Sequence, residues 1–345
     1  MLAAHAHEIS CCPVVPRAEG PVASGAAAFK RDFLQFLACP QCGGGFDVAV
    51  NATDGDRIRA GTLVCISGHS YQIAGGIPRF VQSEGYAANF GFEWNLHRTT
   101  QLDDEGDRES EETFIQKTGF IAEELKGKLV LDVGCGMGRF SDVVSRWGGE
   151  VVGIDLTTAV DACNRNIGSR PNVHLAQANV FELPFKPETF DYIFSIGVLH
   201  HTPSTQRAFD QLPKLLKPGG RIAIWVYTTA MRRWCWTSDA YRLVTTRLPK
   251  KTLHRLSHVA LTMYRLHKWL EPRSSFLDNL SFLLLPTSRH DDADWRVLDT
   301  FDWYSPKYQF KHSEVELRRW FAGHGLVDLK ALEFETSVQG TKPMG

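Results

Sequence analysis

The sequence predicts an α/β protein built on a doubly wound parallel sheet. From Gly127 onward, apolar runs of strand length alternate with segments of helical period. This alternation is typical of parallel strands joined by crossover helices. The first run, residues 129–133, leads directly into glycines at three alternate positions: Gly134, Gly136 and Gly138. A second run, residues 151–155, ends in an acidic residue.

The predicted elements of this core follow one another in a regular order. Strands are expected at residues 129–133, 151–156, 173–176 and 221–227, and the fourth strand is expected within residues 190–201, ahead of the two histidines at its end. Helices are expected at residues 141–147, 159–167, 208–216 and 314–324, and the Lys-Pro-Gly-Gly of residues 217–220 is expected to end the third of them. Two final strands, residues 327–334 and 337–340, complete the pattern.

Composition narrows the class of protein. The chain has 345 residues, of which 43% are hydrophobic and 22% are charged, as in ordinary globular proteins. Its net charge of -1 excludes a polycation built for nucleic acid. No apolar run reaches the ~18 residues that span a bilayer, and the first 20 residues lack the pattern of a secretory signal. We therefore expect a cytoplasmic protein whose eight cysteines are reduced.

The glycine turn and the acid after the second strand indicate a nucleotide-like ligand. Glycine lets a ligand approach the backbone closely. Asp155 follows the first glycine by roughly 20 residues, which suits an acid that binds the hydroxyls of a ribose. A dinucleotide fingerprint would read G-x-G-x-x-G, whereas here the third glycine comes two positions after the second.

Several motifs in their usual order carry a family resemblance across residues 126–227. They are Asp132-x-Gly134-x-Gly136-x-Gly138, Leu-Pro-Phe at 183–185, Phe-Asp-Tyr-Ile at 190–193 and Leu-Lys-Pro-Gly-Gly at 216–220. On these motifs the segment resembles the class I S-adenosylmethionine-dependent methyltransferases, of the type 11 kind. The resemblance implies a Rossmann-like, seven-stranded sheet with a terminal antiparallel hairpin, and S-adenosylmethionine as cofactor.

The resemblance also assigns cofactor contacts to this chain. The three glycines would line the methionine part, Asp155 would accept the ribose hydroxyls, and Leu156 would pack on the adenine. Asn179 stands where the family often has Asp, and its carbonyl oxygen still accepts a hydrogen bond from the adenine amino group. The remaining expected contacts are Asp132, Cys135, Val180 and Ser195. The alternative is a fold that has lost its ligand and keeps Asp132 and Asp155 as strand-end carboxylates.

Two histidines are the candidate catalytic residues. His200 and His201 follow the fourth strand, at the carboxyl edge where ligands bind in such sheets. Histidine titrates near neutral pH, so either side chain is able to take a proton from an acceptor. The alternative is that both residues only shape the loop.

Residues 31–82 contain a predicted metal module. Cys39 and Cys42 form one close pair, and Cys65 and His69 form another. Four such ligands in two pairs suit tetrahedral zinc with a structural role. The segment resembles the zinc-ribbon modules found ahead of some methyltransferase domains, including its Gly-Ile-Pro-Arg-Phe ending at residues 76–80. The alternative is that the cysteines are incidental or that the ribbon has lost its metal.

The rest of the chain divides into four predicted segments around the core, residues 127–228. These are a flexible tail (1–30), linker helices (83–126), a basic helical insert or lid (229–300) and a C-terminal helix and hairpin that complete the core (301–345). Aromatic residues in the linker and after the insert either cover the ligand or pack in the core: Tyr86, Phe90, Phe92, Trp94, Trp303, Tyr304 and Tyr308.

The insert is strongly basic. Residues 229–273 hold ten Lys or Arg and two acids, a local charge of +8. Three interpretations stay open: a solvated helical face, a site for an anionic or lipid-linked substrate at a membrane surface, and a nucleic-acid site served by aromatics such as Trp234 and Trp236.

The predicted function is S-adenosylmethionine-dependent methyl transfer to an oxygen or nitrogen of a small-molecule, glycan or lipid-linked acceptor. The first alternative is an RNA base methyltransferase. Near-neutral charge argues against it, as does Ile-Gly-Val-Leu at residues 196–199 in place of a base-clamping N-P-P-Y-type tetrapeptide. The second alternative is a non-catalytic protein that binds the cofactor and stabilises a partner chain.

Overall fold

The structure is a computed structural model that describes residues 29–104, 106, 108–230 and 236–345. The predicted flexible tail therefore lies outside the described residues up to position 28, as do Arg232, Arg233 and Trp234 of the insert. The last two residues of that tail are anchored. Phe29 pairs with Ile58 in an isolated bridge, and the Lys30 ammonium donates to the carbonyl oxygens of Pro171 and Val173 at 2.6 and 2.8 Å.

All named strands belong to one mixed sheet. They are β1 (Phe46–Asp54), β2 (Arg57–Cys65), β3 (Ser70–Ala74), β4 (Ile77–Arg79), β5 (Leu129–Val133), β6 (Glu150–Asp155), β7 (Val173–Gln177), β8 (Phe190–Ile196), β9 (Leu216–Trp225), β10 (Val327–Ala331) and β11 (Ser337–Thr341). Their spatial order is β1-β2-β3-β4-β7-β6-β5-β8-β9-β11-β10. In the centre of the sheet, the neighbouring strands β4, β7, β6, β5, β8 and β9 run parallel to one another. Strand β4 pairs antiparallel with β3 on its other side.

The strand order reverses at β5, which lies between β6 on one side and β8 on the other. Such a switch point leaves a crevice outside the carboxyl ends of the strands, where doubly wound sheets bind ligands. The glycine turn follows β5 directly, so the sheet topology places it at this crevice. The α/β class and the Rossmann-like arrangement predicted from the sequence are confirmed.

The prediction of a seven-stranded sheet is wrong, because the sheet has eleven strands among the described residues. The seven expected strands form the order β7-β6-β5-β8-β9-β11-β10, and the metal module adds β1 to β4 at one edge. The junction is narrow: Arg79 of β4 pairs with Gln177 of β7, and the Phe80 amide donates to the Gln177 carbonyl at 2.8 Å. The module thus caps backbone groups that an edge strand would leave unpaired.

Twelve α-helices cover the sheet and its insert within the described part of the chain. They are α1 (Ala88–Leu96), α2 (Glu109–Thr118), α3 (Ala122–Leu125), α4 (Arg139–Arg146), α5 (Ala159–Ile167), α6 (Thr205–Phe209), α7 (Trp236–Thr245), α8 (Lys250–Ser257), α9 (Val259–Leu270), α10 (Ser275–Leu284), α11 (Ala293–Tyr304) and α12 (Glu314–Gly323). The predicted insert boundary at residue 300 falls inside α11. None of the described helices combines the length and the apolar character that crossing a membrane requires.

The predicted helix at residues 208–216 is wrong in its placement. Helix α6 ends at Phe209, a short 3-10 turn spans Pro213–Leu215, and β9 already begins at Leu216. The Lys-Pro-Gly-Gly segment therefore lies inside the strand, at an irregularity in its register with β8 between Phe190 and Tyr192. Pro213 explains the early end, because its ring lacks the N–H that a continuing helix needs.

Candidate active site

A cavity of about 460 Å³ opens at the carboxyl ends of β5, β6 and β8. This volume lies in the range of small-molecule sites, roughly 300–1,000 Å³. One wall consists of the glycine turn and the ends of β6 and β8. A second wall comes from α1, α2 and α11, together with Trp225 of β9. Residues of the linker and of the insert therefore complete the lining of a cavity that begins at the core.

The glycine turn shapes the first wall through its backbone. Gly134 and Gly136 line the cavity with φ of 85° and 53°, conformations that L side chains rarely adopt. A Cβ on Gly134 would lie 2.4 Å from the methyl groups of Val198, and one on Gly136 would face the Trp94 ring at 3.3 Å. Any larger residue would therefore strain the turn and fill the space beside it.

Gly138 lies off the cavity wall. It precedes α4 with φ of 97°, and a Cβ there would approach the Cys163 sulfur to 2.8 Å. Its small size thus serves the close packing of α4 on α5. The predicted contact of Gly138 with the methionine part of a cofactor finds no direct support in this placement.

Asp155 presents a carboxylate at the end of β6. Its Oδ2 accepts from the Gly136 amide at 3.1 Å, and its Oδ1 accepts from the Thr157 amide and hydroxyl, both at 2.8 Å. Burial raises the pKa of Asp155, while the bonds from Thr157 and Gly136 oppose that rise. A carboxylate offers about four lone-pair sites, so acceptor capacity remains towards the cavity that Asp155 and Leu156 line.

The other predicted cofactor residues divide between the wall and the interior. Cys135 and Val180 line the cavity, whereas Asp132, Asn179 and Ser195 do not. The buried Asp132 accepts from the Ser141 hydroxyl at 2.7 Å and so ties β5 to α4, and burial raises its pKa to about 7. Ser195 donates to the Val133 carbonyl at 2.9 Å. The Asn179 oxygen accepts from the Phe181 amide at 3.2 Å, which occupies the atom expected to bind adenine.

The two candidate catalytic histidines occupy different environments. His200 is fully buried off the wall, both of its ring nitrogens lack a hydrogen-bond partner among the described residues, and its ring packs 4.0 Å from that of Tyr227. Burial lowers its pKa well below the usual value. A direct catalytic role for His200 therefore finds no support in its position.

His201 lines the cavity. Its Nδ1 lies 2.8 Å from the Tyr308 carbonyl oxygen, and because a carbonyl only accepts, Nδ1 carries the proton and Nε2 keeps the lone pair. Burial lowers the pKa of His201 to about 4. The ring is therefore neutral near pH 7, with Nε2 as its acceptor atom.

The second wall carries acids that the sequence interpretation missed. Glu93 of α1 is 1% exposed, and neither of its carboxylate oxygens has a hydrogen-bond partner among the described residues. Asp299 and Asp302 of α11 line the same cavity, where the Tyr227 hydroxyl donates to Asp302 at 3.2 Å. Burial raises the pKa of Glu93 well above its usual value and that of Asp302 to about 7. In the sequence, the aromatic residues of 301–304 indicate either a ligand cover or a core segment, and Asp302 between them carries no signal of its own.

Cations and aromatics complete that wall. Lys117 is buried with its ammonium 3.5 Å from the centre of the Trp225 ring, and burial lowers its pKa to about 7. Four of the seven noted aromatics line the cavity: Tyr86, Phe90, Trp94 and Trp303. The other three lie elsewhere: Phe92 packs on Phe301, the Tyr304 hydroxyl donates to Pro286, and Tyr308 offers its carbonyl to His201.

Replacing Asp302 by Asn is expected to stabilise the protein, and more so near pH 8 than near pH 5. The folded-state pKa of about 7 exceeds the ordinary value of 3.8, so this group favours unfolding increasingly as pH rises between the two values. One pKa unit corresponds to about 1.4 kcal/mol, which bounds the gain near pH 8 at about 4 kcal/mol. The measurement is the thermal midpoint at both pH values.

The matched control for this prediction is Asp239→Asn, which removes a carboxylate that pairs with Lys311 at 2.8 Å. The control is expected to give no stabilisation at either pH. Equal thermal midpoints for wild type and Asp302→Asn at both pH values would contradict a buried, destabilising carboxyl at this position.

A second cluster lies in the metal module. Ligand atoms of Cys39, Cys42, Cys65 and His69 all lie within 4.8 Å of one another. The Cys42 and Cys65 sulfurs are 3.6 Å apart, and the His69 Nδ1 is 3.4 and 3.5 Å from the sulfurs of Cys65 and Cys39. Cys39 and Cys65 are buried. The chemistry of this donor set is compatible with a zinc module.

Comparison with known proteins identifies the core. Residues 131–224 match the protein family described as "Methyltransferase domain". "Probable tRNA methyltransferase 9B" of Homo sapiens is 36% identical over 111 residues, or 31% of this chain and 23% of that protein. "Ubiquinone biosynthesis O-methyltransferase" of Coxiella burnetii is 30% identical over 130 residues, or 37% of this chain and 56% of that protein. The chain thus spans at most 56% of the length of these relatives.

A solved S-adenosylmethionine-dependent methyltransferase from Mesorhizobium loti is 28% identical, with 29% of this chain and 47% of that chain covered and a TM-score of 0.28. The family match covers β5 to β9, the strands that carry the glycine turn, Asp155 and the two histidines. The family match therefore assigns a methyltransferase domain to residues 131–224 of this chain.

Proposed function

We propose that this protein transfers a methyl group from S-adenosylmethionine to an oxygen or nitrogen atom of a small or lipid-linked acceptor. The observation that carries the proposal is the single cavity with two unlike walls. Bare glycine backbone and Asp155 form one wall, and buried acids, Tyr227 and His201 form the other. A cofactor on the first wall and an acceptor on the second would meet inside about 460 Å³.

The first wall fits the cofactor. Gly134 and Gly136 line the cavity with backbone that carries no side chain of its own, beside Val198 and Trp94, and Asp155 keeps acceptor capacity for ribose hydroxyls. Leu156 and Val180 offer apolar surface on the same wall. When bound, S-adenosylmethionine supplies an electrophilic methyl group. The role of these residues is to hold and orient it, because positioning contributes about 7–11 kcal/mol in favourable cases.

The second wall fits an acceptor that loses a proton. His201 is neutral, with Nε2 available to accept that proton from an O–H or N–H group. A well-placed general base contributes about 10²–10⁴-fold in rate. The buried Glu93 and the half-buried Asp302 line the same cavity as His201 and are available to bind the polar part of the acceptor. The aromatic rings of Phe90 and Trp303 help to exclude water.

Two other functions remain alternatives. An RNA base methyltransferase is favoured by the relative named for tRNA, while a cavity partly roofed by α11 favours a small acceptor. The second relative is named for ubiquinone biosynthesis, so the family match supports no single acceptor class. A non-catalytic partner protein would bind the cofactor and transfer nothing.

The test combines cofactor binding with methyl transfer. Calorimetry of the full chain with S-adenosylmethionine is expected to give saturable binding at one site. Incubation with tritium-labelled S-adenosylmethionine and fractionated cell lysate is expected to label the small-molecule or lipid fraction. Label in RNA would support the first alternative, and tight binding without any label would support the second. Absence of binding would overturn all three functions.

His201→Asn is the companion variant. Asn lacks a nitrogen lone pair that takes up a proton, so the label incorporated per minute should fall by about 10²-fold or more. Cofactor binding should change by less than about threefold, because the first wall stays intact. Unchanged incorporation in this variant would remove the general base from the mechanism.

We also propose that the Cys39, Cys42, Cys65 and His69 cluster binds structural zinc. Four protein ligands complete a tetrahedral site and leave no open position for chemistry. The sulfur–sulfur separation of 3.6 Å between Cys42 and Cys65 supports this occupant, since two thiolates at Zn–S distances of about 2.3 Å in a tetrahedron lie a little under 4 Å apart.

A further inference from the structure

The insert exposes an unusual amount of apolar surface. More than half of the exposed large hydrophobic side chains in the described part of the chain lie between residues 236 and 284. On α10, Phe276, Leu280 and Leu284 are 73%, 38% and 59% exposed at i, i+4 and i+8 and so share one face of the helix. On α9, Val259 and Trp269 are 40% and 56% exposed. Exposed apolar faces of this extent mark interaction sites.

Hydrogen bonds join α7 and α9 to α10. The Tyr241 hydroxyl of α7 donates to the Leu284 carbonyl of α10 at 2.7 Å, and Thr237 of α7 donates to Leu283 at 2.6 Å. At the other side of α10, the His267 ring of α9 bonds to Asp278 at 2.8 Å. We call the outer face of these three helices the insert face, defined by these residues: Trp236, Leu243, Val244, Val259, Leu266, Trp269, Phe276, Leu277, Leu280 and Leu284.

Positive charge surrounds the insert face. The exposed basic residues of α7 to α10 and their joining segments are Arg247, Lys251, Arg255, Arg265, Lys268 and Arg273. Of these, Lys268 pairs with the exposed Asp291 at 3.5 Å. Residues 236–284 contain three acids. Asp239 pairs with Lys311, and Asp278 pairs with His267 and Arg289, so their charges are offset. Glu271 is the remaining acid, and it is exposed.

Basic and apolar groups are also in contact on this face. The Arg273 guanidinium lies 4.8 Å from the centre of the Trp269 ring. A Trp beside an Arg suits the headgroup level of a bilayer. There the indole ring and the aliphatic part of the Arg side chain are buried, while the guanidinium group stays hydrated. Leucine and phenylalanine at the centre of the face suit the acyl boundary beneath.

We propose that the insert face docks on the surface of an anionic lipid bilayer. A second copy of the chain would place two positive faces together, and RNA would cover aliphatic residues such as Leu280 and Leu284 without a matching surface. An anionic bilayer matches both the apolar centre and the basic rim. The docking is peripheral, because no described helix is suited to crossing a membrane.

The bilayer would lie against the same insert that roofs the cavity. Arg242 of α7 donates to the carbonyls of Trp303 and Pro306, and Thr245 donates to Tyr304. Asp299, Asp302 and Trp303 of α11 line the cavity on its other side. If the proposed methyl transfer holds, docking brings lipid-linked acceptors to the cavity, while docking itself does not depend on that transfer.

Vesicle flotation with the full chain tests the proposal. The wild type is expected to float with vesicles in which a third of the lipid is phosphatidylglycerol, and not with pure phosphatidylcholine, and to detach as salt is raised. Phe276→Ser with Leu280→Ser should abolish flotation. Arg265→Gln, Lys268→Gln and Arg273→Gln together should weaken binding about 100-fold, since each charge contributes about fivefold.

Val315→Ser is the matched control, because Val315 is 57% exposed on α12, outside the insert. It should float like the wild type. All variants change exposed positions and should keep the wild-type unfolding midpoint and cofactor affinity, which separates failed docking from failed folding. Failure of the wild type to float would overturn the proposal. So would a solution dimer that the serine variant dissociates, or an RNA complex that the glutamine variant loses while flotation persists.

Discussion

Replacing Asp155 by Ala is expected to lower the affinity for S-adenosylmethionine by about 100-fold or more. Asp155 lines the cavity at the end of β6 and is the charged acceptor of the first wall. Hydrogen bonds to a charged group contribute about 1.5–3 kcal/mol each, and 1.4 kcal/mol is a factor of ten. Loss of two ribose bonds accounts for the expected change, which isothermal titration calorimetry measures.

Part of this effect acts through the turn itself. The Gly136 amide and the Thr157 amide and hydroxyl donate to the same carboxylate. Alanine leaves these donors unpaired, so the glycine turn loses its support together with the proposed ribose contact. Asp155→Asn separates the two effects, because its amide oxygen keeps one acceptor for the turn and loses the charge. An intermediate loss of about tenfold is expected for it.

Asp210→Ala is the matched control for the removal of a carboxylate. Asp210 pairs with His324 at 2.8 Å on the surface, outside the cavity. The affinity of the Asp210→Ala variant for the cofactor should equal that of the wild type. If folded Asp155→Ala bound S-adenosylmethionine as tightly as the wild type, the assignment of the first wall to this cofactor would fail.

The glycine turn and the acid after the second strand could be predicted to share one sheet edge because their determinants are local. A buried strand, a turn that requires positive φ at Gly134 and Gly136, and an acid at the end of the next strand all follow from short segments. Parallel pairing of β5 with β6 then brings the turn and Asp155 together, as the fold class requires.

The second wall could not be derived in this way. Glu93 and Asp302 lie on helices more than 200 residues apart in the chain, and each sits in a short segment with no motif. Their approach depends on how α1 and α11 pack over the sheet, which is a long-range property. The eleven-stranded sheet could not be predicted for the same reason. The four strands of the metal module join it through a single long-range residue pair between β4 and β7.

Replacing Cys65 by Ser is expected to remove bound zinc and to lower the thermal midpoint of the whole protein by about 10 °C or more. Serine is a poor zinc ligand, and structural zinc contributes about 10–16 kcal/mol of apparent binding free energy in small modules. The module places Ile58, Leu63 and Ile73 in the main apolar cluster of the protein, so loss of the metal should disturb that cluster as well. Metal analysis and calorimetry of the full chain measure both effects.

The expected loss extends into the core because the module is joined to it by backbone bonds. The Ala38 amide donates to the Pro184 carbonyl at 2.9 Å, and the Lys186 amide donates to the Phe36 carbonyl at 3.1 Å. Leu37 is fully buried in the same apolar cluster as Phe185. An unfolded module would therefore uncover β7 as an edge strand, and aggregation on heating is expected to accompany the lower midpoint.

Hydrogen exchange distinguishes local unfolding of the metal module from unfolding that extends into the core. If the module were an independent unit, amide protection in Cys65→Ser would disappear in β1 to β4 and persist in β7. Because Phe80 and Arg79 pair directly with Gln177, we expect protection to fall in Val173–Gln177 as well. Cys163→Ala, a substitution in α5 away from the cluster, should keep both zinc and this protection. Wild-type zinc content in Cys65→Ser would instead show that the cluster is not the metal site.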